Sequence, residues 1–442
     1  MTSIHEGALL WQPTEQQMRE SRMQAYIDWL QAHKGSQFDG YAPLWEWSVT
    51  QPGDFWQSLW EFFDVQASAR PSQALLDREM PGARWFEGAR LNYAEHIFRN
   101  RTAERPAIVF QSELQPLIEI QWDDLERQVA AVASGLRGLG VSAGDRVVAY
   151  LPNIPAAVVA LLACASVGAI WSSCSPDMGS GSVIDRFRQI EPKVLFAVDG
   201  YRYGGKDFDR RPVVAELQAA MPSLEHTVLV PYLDRDAGVE ALPNAMLWQE
   251  LLANEGTLTF EHVPFDHPLW VLYSSGTTGL PKPIVQGHGG ILLEHLKALA
   301  LHHDFGPHDR FFWFTTTGWM MWNFLVGGLL VGSTILLYDG SPAAPDMGAL
   351  WSFAERAGMT FFGASAAYIS ACMKAGVEPG KQYDLSKLKG LGSTGSPLSY
   401  DGFGWVYEHI KRDLWLASIS GGTDVCTAFV GGCPLLPVHA GE

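Results

Sequence analysis

The feature that most constrains this sequence is an apolar strand pattern that runs directly into a loop of small residues. The run Leu269–Tyr273 continues into Ser274-Ser275-Gly276-Thr277-Thr278-Gly279-Leu280-Pro281-Lys282. Glycines let a backbone approach an anion closely, and successive N–H groups and hydroxyls form a concavity for phosphate oxygens. Lys282 adds a positive charge. The stretch therefore predicts a phosphate-binding loop at the end of a buried strand.

The spacing of this loop argues against other well-known sites. A Walker A loop needs GxxxxGK[ST], whereas here the spacing is GxxGxxK with no hydroxyl residue after the lysine. A hydrolase nucleophile at Ser274 or Ser275 would need a GxSxG turn, which the sequence does not have there. The run Gly138-Leu139-Gly140 imitates a dinucleotide fingerprint but precedes a strand, so it predicts a helix end and a turn.

Apolar periodicity on both sides of the loop indicates an α/β fold. Strands are predicted at 106–110, 146–151 and 170–173, alternating with helices at 123–136 and 155–167. More strands are predicted at 270–274, 335–338, 360–362, 390–394 and 415–420, whereas segment 201–265 suggests a loop-rich insertion. Such alternation favours mostly parallel sheets covered by helices. The Trp-rich first 90 residues predict an irregular helical cap.

The charge composition of the chain argues against certain classes of binding partner. The chain has 442 residues, with 31 Lys plus Arg against 48 Asp plus Glu and a net charge of −17. This charge argues against non-specific binding to nucleic acid or to an anionic membrane. The N-terminus has no signal-peptide pattern, and five irregularly spaced cysteines predict buried thiols in a reducing cytoplasm.

Two stretches could suggest a membrane span or a zinc site, and the sequence disfavours both. The uncharged run Trp319–Tyr338 is long enough to span a bilayer, but Gly327, Gly328 and Gly332 interrupt it. A buried helix followed by a buried strand is therefore expected there, and no membrane span. A group of nearby polar residues matches no zinc spacing: His302, His303, Asp304 and His308.

Together with three further motifs, the loop resembles the signature of the adenylate-forming superfamily, which includes acyl-CoA synthetases, nonribosomal adenylation domains and luciferases. These motifs are Ser166-Val167-Gly168-Ala169-Ile170-Trp171-Ser172, Gly392-Ser393-Thr394-Gly395-Ser396-Pro397-Leu398 and Ser420-Gly421-Gly422-Thr423-Asp424. Pro43-Leu44-Trp45-Glu46-Trp47-Ser48-Val49 and Arg90-Leu91-Asn92-Tyr93-Ala94-Glu95 are similar to the acetyl- and acetoacetyl-CoA synthetase branch. The combination of Trp45-Glu46-Trp47-Ser48-Val49 with Ser420-Gly421-Gly422-Thr423-Asp424 most resembles the acetoacetate-activating members.

The resemblance implies a ligase with two half-reactions. A carboxylate attacks ATP to give an acyl-adenylate and pyrophosphate, and the thiol of CoA then displaces AMP. Acetoacetate is the implied small-molecule substrate, with ATP, Mg²⁺ and CoA as the other reactants or cofactors. Other short acids such as acetate or propionate, transfer to a carrier protein, and nucleotide binding without turnover stay open. The oligomeric state is not indicated.

The resemblance also implies domains and site residues. We expect a cap over residues 1–90, a first α/β subdomain over 91–265 and a second over 266–442. Lys282 and Thr423 are the implied catalytic residues, and Asp424 is the implied metal ligand. The implied nucleotide-binding residues are Ser274, Ser275, Gly276, Thr277, Thr278, Gly279, Lys282, Gly395, Ser396, Pro397 and Thr423. The implied acyl pocket comprises Trp319, Thr394 and Gly421, and the implied CoA-binding residues are Arg202 and Lys206.

Three positions depart from what is usual in the superfamily. Asp424 replaces a glutamate and is one methylene shorter, and Ser420 replaces an aromatic residue that stacks on adenine. Gly421 stands where acetate-activating relatives carry tryptophan, which implies a longer acyl pocket. A Gly421→Trp substitution is therefore expected to shift preference toward acetate.

The superfamily continues beyond these motifs with a ribose-binding aspartate, a hinge and a lid domain that carries a catalytic lysine. No segment between Asp424 and Glu442 resembles them. We therefore expect these 442 residues alone to bind ATP weakly and to form adenylate very slowly or not at all.

Overall fold

The computed structural model describes residues 4–274 and 279–442. The N-terminal stretch is mainly helical, as the sequence predicts for the cap. Its elements are β1 (Leu9–Trp11), α1 (Glu15–Glu20), α2 (Arg22–Lys34), α3 (Tyr41–Thr50), α4 (Pro52–Phe62), β2 (Leu75–Asp77), β3 (Arg84–Trp85), β4 (Arg90–Leu91) and α5 (Tyr93–Phe98).

Strands and helices alternate through the next part of the chain. They are β5 (Ile108–Ser112), β6 (Ile118–Ile120), α6 (Trp122–Gly138), β7 (Arg146–Tyr150), α7 (Pro155–Ser166), β8 (Ile170–Cys174), α8 (Ser180–Phe187), a 3₁₀ segment (Arg188–Ile190), β9 (Val194–Val198), β10 (Gly200–Tyr203), β11 (Lys206–Asp209), α9 (Arg211–Ala220), β12 (His226–Val230), β13 (Ala245–Leu247), α10 (Trp248–Leu252) and β14 (Val263–Pro264).

The same alternation continues to the last described residues. The elements are β15 (Pro268–Ser274), β16 (Lys282–Gly287), α11 (His288–Leu296), a π-helical segment (Lys297–His302), β17 (Arg310–Trp313), α12 (Met320–Gly327), a 3₁₀ segment (Gly328–Val331), β18 (Thr334–Asp339), α13 (Ala349–Ala357), β19 (Phe361–Ser365), α14 (Ala366–Ala375), α15 (Pro379–Gln382), β20 (Gly390–Thr394), α16 (Tyr400–Trp405), a π-helical segment (Val406–Ile410), β21 (Trp415–Ser418), β22 (Ser420–Gly422), β23 (Thr427–Val430) and β24 (Val438–His439).

Two large sheets organise these strands. The first has the order β13–β12–β9–β7–β8–β15–β16, and the second has the order β21–β20–β19–β17–β18–β5–β6. Neighbouring strands are parallel except for the edge pairs β15–β16 and β5–β6. Strands buried on both faces, such as Val194–Val198, explain the continuous apolar runs of the sequence. The predicted mostly parallel α/β architecture is confirmed.

Two details of the predicted organisation differ from the structure. Segment 201–265 is not a loop-rich insertion, because β12 and β13 complete one edge of the first sheet. The apolar part of β12 is only 228–230, and the polar residues around it hide the strand signal. The sheets also cross the expected boundary at residue 266, since β5 and β6 lie in the second sheet and β15 and β16 in the first.

The uncharged segment Trp319–Tyr338 lies inside the fold. Trp319–Tyr338 forms α12, the 3₁₀ segment and most of β18, and Gly332 turns between them at φ 79°. The prediction of a buried helix followed by a buried strand is confirmed. Among the helices of the described chain, none combines the length and the apolarity that crossing a membrane requires. The five cysteines are buried and unpaired in the described residues, as predicted.

Side-chain hydrogen bonds join the two sheets where their strands end. The hydroxyl of Thr317, in the loop after β17, donates to Leu151 O at 2.6 Å, just beyond β7. Ser173 Oγ of β8 donates to Thr317 O at 2.8 Å. The loop that opens α12 is therefore held by the carboxyl ends of first-sheet strands, and this junction positions the candidate site.

Candidate active site

A cavity of about 510 Å³ opens where the carboxyl ends of the second sheet meet the β22–β23 hairpin. Its walls come from the ends of β17, β19 and β20, from the start of α12 and from the hairpin. The side chains include Trp313, Thr316, Trp319, Met321, Phe324, Ser365, Thr394, Gly395, Gly421, Gly422 and Thr423. One part of the lining is aromatic and sulfur-containing, whereas the part around Gly395 and Thr423 offers backbone and hydroxyl groups. Such a cavity suits a ligand with an apolar and a polar end.

The predicted phosphate loop connects an antiparallel pair of strands. Ser274 is the last residue of β15, Lys282 is the first of β16, and the two are paired across the hairpin. Gly279 adopts a φ of 117°, a conformation that favours glycine. The predicted residues Ser275, Gly276, Thr277 and Thr278 lie outside the described residues. Since β15 is parallel to β8, its carboxyl end lies on the side of the sheet where ligands commonly bind.

A buried glutamine links this strand pair to the turn that carries Thr423 and Asp424. Gln286 of β16 accepts a hydrogen bond from Trp270 Nε1 at 2.6 Å. Its Nε2 donates to Thr423 O at 2.6 Å and to Asp424 O at 3.1 Å. Because the indole can only donate, it fixes the amide so that the NH₂ group faces the turn. Two predicted site residues, distant from the phosphate loop in sequence, are thereby tied to its second strand.

A histidine of α11 supports the same turn, which connects β22 and β23. His295 of α11 is buried, and its Nε2 lies 3.2 Å from Cys426 O. A carbonyl oxygen only accepts, so this nitrogen carries the proton. Burial lowers the pKa of His295 to about 4, which keeps the ring neutral near pH 7.

The predicted acyl-pocket residues all line the cavity, but they differ in environment. Trp319 has 69 % of its surface exposed, so it stands at the mouth and does not belong to the core. Thr394 donates from Oγ1 to Ile419 O at 2.9 Å, which joins β20 to the hairpin entry. A Cβ at Gly421 would overlap the carbonyl oxygen of Thr427 on the paired strand. A glycine is thus required at 421 by the close approach of β23.

The predicted adenine-side residues divide into two groups. Gly395 lines the cavity with a φ of 87°, directly after β20. Ser396 and Pro397 are exposed and follow it without being part of the lining.

The predicted CoA-binding cations lie on a separate hairpin formed by β10 and β11. Arg202 pairs with Asp207, with Nε–Oδ1 at 2.6 Å and Nη2–Oδ2 at 3.0 Å. Arg202 is directly opposite Asp207 in the strand pair, and the next pair toward the turn is Tyr203 opposite Lys206. Residues directly opposite share a face and neighbours alternate, so Arg202 and Lys206 project from opposite faces of the ribbon. Neither residue lines the cavity.

Sequence reasoning did not assign His303, which also lines the cavity. The residue is buried, and its Nδ1 donates to Ala298 O at 3.0 Å. Its Nε2 is buried without a hydrogen-bond partner among the described residues. Burial lowers the pKa to about 4, so the ring is neutral and Nε2 is an acceptor. No local motif indicates that His303 lines the cavity, because its position depends on where the π-helical segment ends.

Sequence reasoning also did not identify Gln286, since only the packing of β16 against a turn distant in sequence defines its contacts.

Family profiles match most of the chain. Residues 96–435 match the profile described as AMP-binding enzyme. Residues 41–97 match the profile described as acetyl-coenzyme A synthetase N-terminus. Together with the two sheets and the cavity at their carboxyl ends, these matches define the class as AMP-binding enzymes.

Individual relatives define the branch. The acetoacetyl-coenzyme A synthetase of Rhizobium meliloti (strain 1021) is 45 % identical over 98 % of this chain and 67 % of its own length. The solved structure of acetoacetyl-CoA synthetase from Streptomyces lividans has a TM-score of 0.94 and 54 % identity, covering 98 % of this chain and 68 % of that one. A further relative is malonamoyl-CoA synthetase vrtB of Penicillium aethiopicum, 36 % identical over 96 % of this chain and 63 % of its own length. The chain belongs to the AMP-binding enzyme family, in its acetoacetyl-CoA synthetase branch, and spans about two thirds of the length of these relatives.

Proposed function

We propose that the protein activates acetoacetate with ATP as an acyl-adenylate and transfers the acyl group to CoA. The observation that carries this proposal is the cavity that joins an aromatic end near Trp319 to the polar end at Gly395 and Thr423. The names of the relatives support the same reaction. The five buried thiols are compatible with the proposed cytoplasmic location.

The first half-reaction joins two anions. An oxygen of the acid's carboxylate forms a bond to the α-phosphorus, and the bond from that phosphorus to pyrophosphate breaks. The protein's contribution is therefore mainly positioning and neutralisation of charge. In this proposal Lys282 and Ser274, paired at the neck of the loop, hold the departing pyrophosphate. Thr423 contacts the α-phosphate from the wall of the cavity.

Asp424 is the proposed ligand of Mg²⁺. Its side chain is exposed on a turn whose backbone is fixed by Gln286. One carboxylate with open space around it fits Mg²⁺, which usually takes one or two carboxylates together with substrate phosphates and waters. When bound, the ion would neutralise phosphate oxygens, and the shorter side chain of aspartate leaves room for a bridging water.

The second half-reaction transfers the acyl group. The sulfur of CoA bonds to the acyl carbon, and AMP leaves with the electron pair of the broken C–O bond. CoA carries several phosphate charges, for which Arg202 and Lys206 are the proposed partners. These residues project from opposite faces of the β10–β11 hairpin, so they do not face the same phosphate. Arg202 is the principal candidate and Lys206 the secondary one.

ATP–pyrophosphate exchange with a panel of acids tests the proposal. We expect exchange by these 442 residues alone to be slow, but faster with acetoacetate than with acetate, propionate or butyrate, and added CoA is expected to release AMP. Faster exchange with acetate or propionate would contradict the assigned substrate. Binding of ATP without exchange for any acid would instead favour a nucleotide-binding protein without turnover.

Malonamate is a second candidate substrate, and His303 is the observation that favours it. Malonamate and acetoacetate share a carbonyl at the same position, but malonamate ends in an NH₂ group that donates hydrogen bonds. His303 lines the cavity, and its Nε2 is an acceptor that is buried without a partner among the described residues. One relative is named for malonamoyl-CoA.

Substituting His303 by phenylalanine separates the two acids. The change keeps an aromatic ring of similar shape and removes the acceptor, so exchange with malonamate should fall about tenfold if a hydrogen bond to Nε2 is lost. Exchange with acetoacetate, which has no donor in its keto form, should change less than threefold by the same argument. An equal fall with both acids would mean that His303 acts through packing alone.

A further inference from the structure

The turn of the β10–β11 hairpin presents two backbone N–H groups to a single acceptor. Gly204 and Gly205 connect the strands with φ values of 61° and 74°. Two successive residues with positive φ are the pattern of a tight hairpin turn that glycine favours. Consecutive N–H groups in such turns make a concavity for an anion. This hairpin also carries Arg202 and Lys206.

The anion in that concavity is a side chain from the second sheet. Glu113 follows β5, and its Oε1 accepts from Gly204 N at 2.8 Å while Oε2 accepts from Gly205 N at 2.7 Å. Oε1 also accepts from Ser341 N at 2.7 Å, in the loop after β18. One carboxylate therefore binds the tip of the separate β10–β11 hairpin to two loops of the second sheet. Hydrogen bonds to a charged acceptor are stronger than neutral ones.

The surrounding backbone is fitted to this carboxylate. Glu113 N donates to Asp339 O at 3.1 Å, which fixes the main chain at the base of the side chain. Gly340 has a φ of 146°, and a Cβ there would lie 2.8 Å from Glu113 Cγ and 2.9 Å from Oε1. Only glycine leaves space for the side chain to reach the hairpin tip.

We propose that Glu113 is a positioning residue for the CoA step: it fixes the β10–β11 hairpin so that Arg202 meets a phosphate of CoA. This inference rests on the proposed function, in which Arg202 binds CoA. The carboxylate of Glu113 already occupies the N–H groups of Gly204 and Gly205. A phosphate of CoA would therefore bind to side chains of the hairpin and not to these N–H groups. Arg202 is held in turn by its two bonds to Asp207, which leaves its remaining N–H groups in a defined direction.

The proposal separates the two half-reactions. Glu113 and Arg202 do not line the cavity, whereas Thr423 and Gly395 do. A change that frees the β10–β11 hairpin from Glu113 should raise the concentration of CoA needed for transfer. It should leave the rate of adenylate formation unchanged. A role in general stability would affect both half-reactions alike.

The test compares Glu113→Gln with Arg202→Ala. Glutamine keeps the size of the side chain, but its NH₂ group faces a backbone N–H, so at least one hydrogen bond is lost. Both variants should raise the half-saturating concentration of CoA about tenfold, while acetoacetate-dependent ATP–pyrophosphate exchange stays within about twofold. Glu119→Gln is the matched control, because this carboxylate of β6 pairs with Arg310 and lies outside the hairpin. It should leave both measurements unchanged.

Limited trypsin digestion gives a readout that does not depend on turnover. Cleavage after Arg202 and Lys206, followed by mass spectrometry, should be faster in Glu113→Gln than in the native protein and in Glu119→Gln. If Glu113→Gln does not fold, Gly340→Ala displaces the same side chain without removing it and should give the same cleavage pattern.

The outcomes distinguish this inference from the proposed function. If Arg202→Ala weakens the use of CoA and Glu113→Gln does not, Glu113 is not a positioning residue. If neither variant affects CoA, the proposed CoA site is wrong and the inference fails with it. An equal loss of exchange and of CoA use in Glu113→Gln would also overturn the inference, because it indicates a purely structural role.

Discussion

Gln286 shows how a single buried amide can connect two parts of a site that are far apart in sequence. Its orientation is set by Trp270, and its two N–H bonds hold the backbone that presents Thr423 and Asp424. The side chain touches no proposed ligand. Its importance therefore lies in where it places the turn relative to the phosphate loop, which leaves the same strand pair.

Replacing Gln286 by glutamate should impair adenylation and the use of Mg²⁺ together. The carboxylate has the same size but would face the carbonyl oxygens of Thr423 and Asp424 without hydrogens to donate. Loss of these bonds should cost about 1–3 kcal/mol of stability. Exchange should fall about tenfold, with a higher half-saturating concentration of Mg²⁺, because the turn that carries Asp424 is displaced. Exchange measured over a titration of Mg²⁺ checks this expectation.

Gln218→Glu is the matched control for this prediction. Gln218 also donates from Nε2 to two acceptors, Thr227 Oγ1 of β12 at 2.8 Å and Pro243 O at 2.9 Å, far from the turn that carries Asp424 in sequence. It should lose stability with no change in the Mg²⁺ dependence. A shift of the same size in both variants would contradict the role of Gln286.

At the scale of elements, the β22–β23 hairpin determines the shape of the cavity. Gly421 pairs with Ala428, and the register is irregular between Ser420 and Gly421. The hairpin turn is held by Gln286 on one side and by His295 on the other. Substitutions in the hairpin therefore act through the backbone as well as through the volume of the cavity.

Adjacent glycines of β22 should respond differently to alanine. A Cβ at 421 would overlap the backbone of Thr427 and Ala428, whereas at 422 the nearest atom is Phe429 Cε2 at 3.8 Å. Gly421→Ala should lose about 1–3 kcal/mol and reduce exchange, because the strand has to move. Gly422→Ala should stay within about 0.5 kcal/mol of the native protein. Urea denaturation of both variants checks the difference, and equal stabilities would contradict it.

The same contact changes the expectation for Gly421→Trp. From the sequence, tryptophan at 421 should fill the acyl pocket and shift preference toward acetate. In the structure the Cβ at this position meets the paired strand, so tryptophan needs a different hairpin backbone. Exchange with acetate and with acetoacetate should both fall. A selective gain with acetate would show that the hairpin adapts.

At the scale of the whole molecule, a hydrogen bond between a tyrosine and an aspartate joins the two sheets. Tyr232, in the loop after β12, donates to Asp339 Oδ2 at 2.7 Å at the end of β18. Burial raises the pKa of Asp339 to about 7, and the nearby carboxylates of Glu113 and Asp177 add to this rise, while the bond from Tyr232 opposes it. Near neutral pH this carboxyl is therefore partly protonated in the folded protein.

The raised pKa predicts how stability depends on pH. Between about pH 4 and pH 7 the folded protein keeps a proton on Asp339 that the unfolded chain releases, so this group's contribution to the free energy of unfolding falls as pH rises. Asp339→Asn keeps an acceptor for Tyr232 and removes the titration. Its stability relative to the native protein should improve by roughly 2 kcal/mol from pH 5 to pH 8. Urea denaturation at the two pH values measures the change.

Asp207→Asn serves as the control for this pH dependence. The guanidinium of Arg202 holds the pKa of Asp207 below its usual value, so its titration lies at lower pH. Its stability relative to the native protein should be the same at pH 5 and pH 8. If the stability of Asp339→Asn relative to the native protein were also the same at pH 5 and pH 8, the raised pKa of Asp339 would be contradicted.

The sequence by itself determined the features that depend on neighbouring residues. Segments such as Gly390–Thr394 and Trp415–Ser418 are strands at the predicted positions, and Pro155 opens the predicted helix. The glycine and hydroxyl pattern before Lys282 predicted a loop after a strand, and β15 and β16 flank it. These features follow from backbone conformation and burial of single segments, which local sequence encodes.

Only the tertiary structure decided which strands share a sheet and which side chains reach the site. β5 joins the second sheet and β15 the first because hydrogen-bond partners are chosen across long sequence distances. Gln286, His303 and Glu113 carry no local signal, since each is defined by contacts with residues more than about 90 positions away or by the wall of a cavity. Packing assigns such roles, because a polar group that is buried has to find its partner wherever the fold brings one.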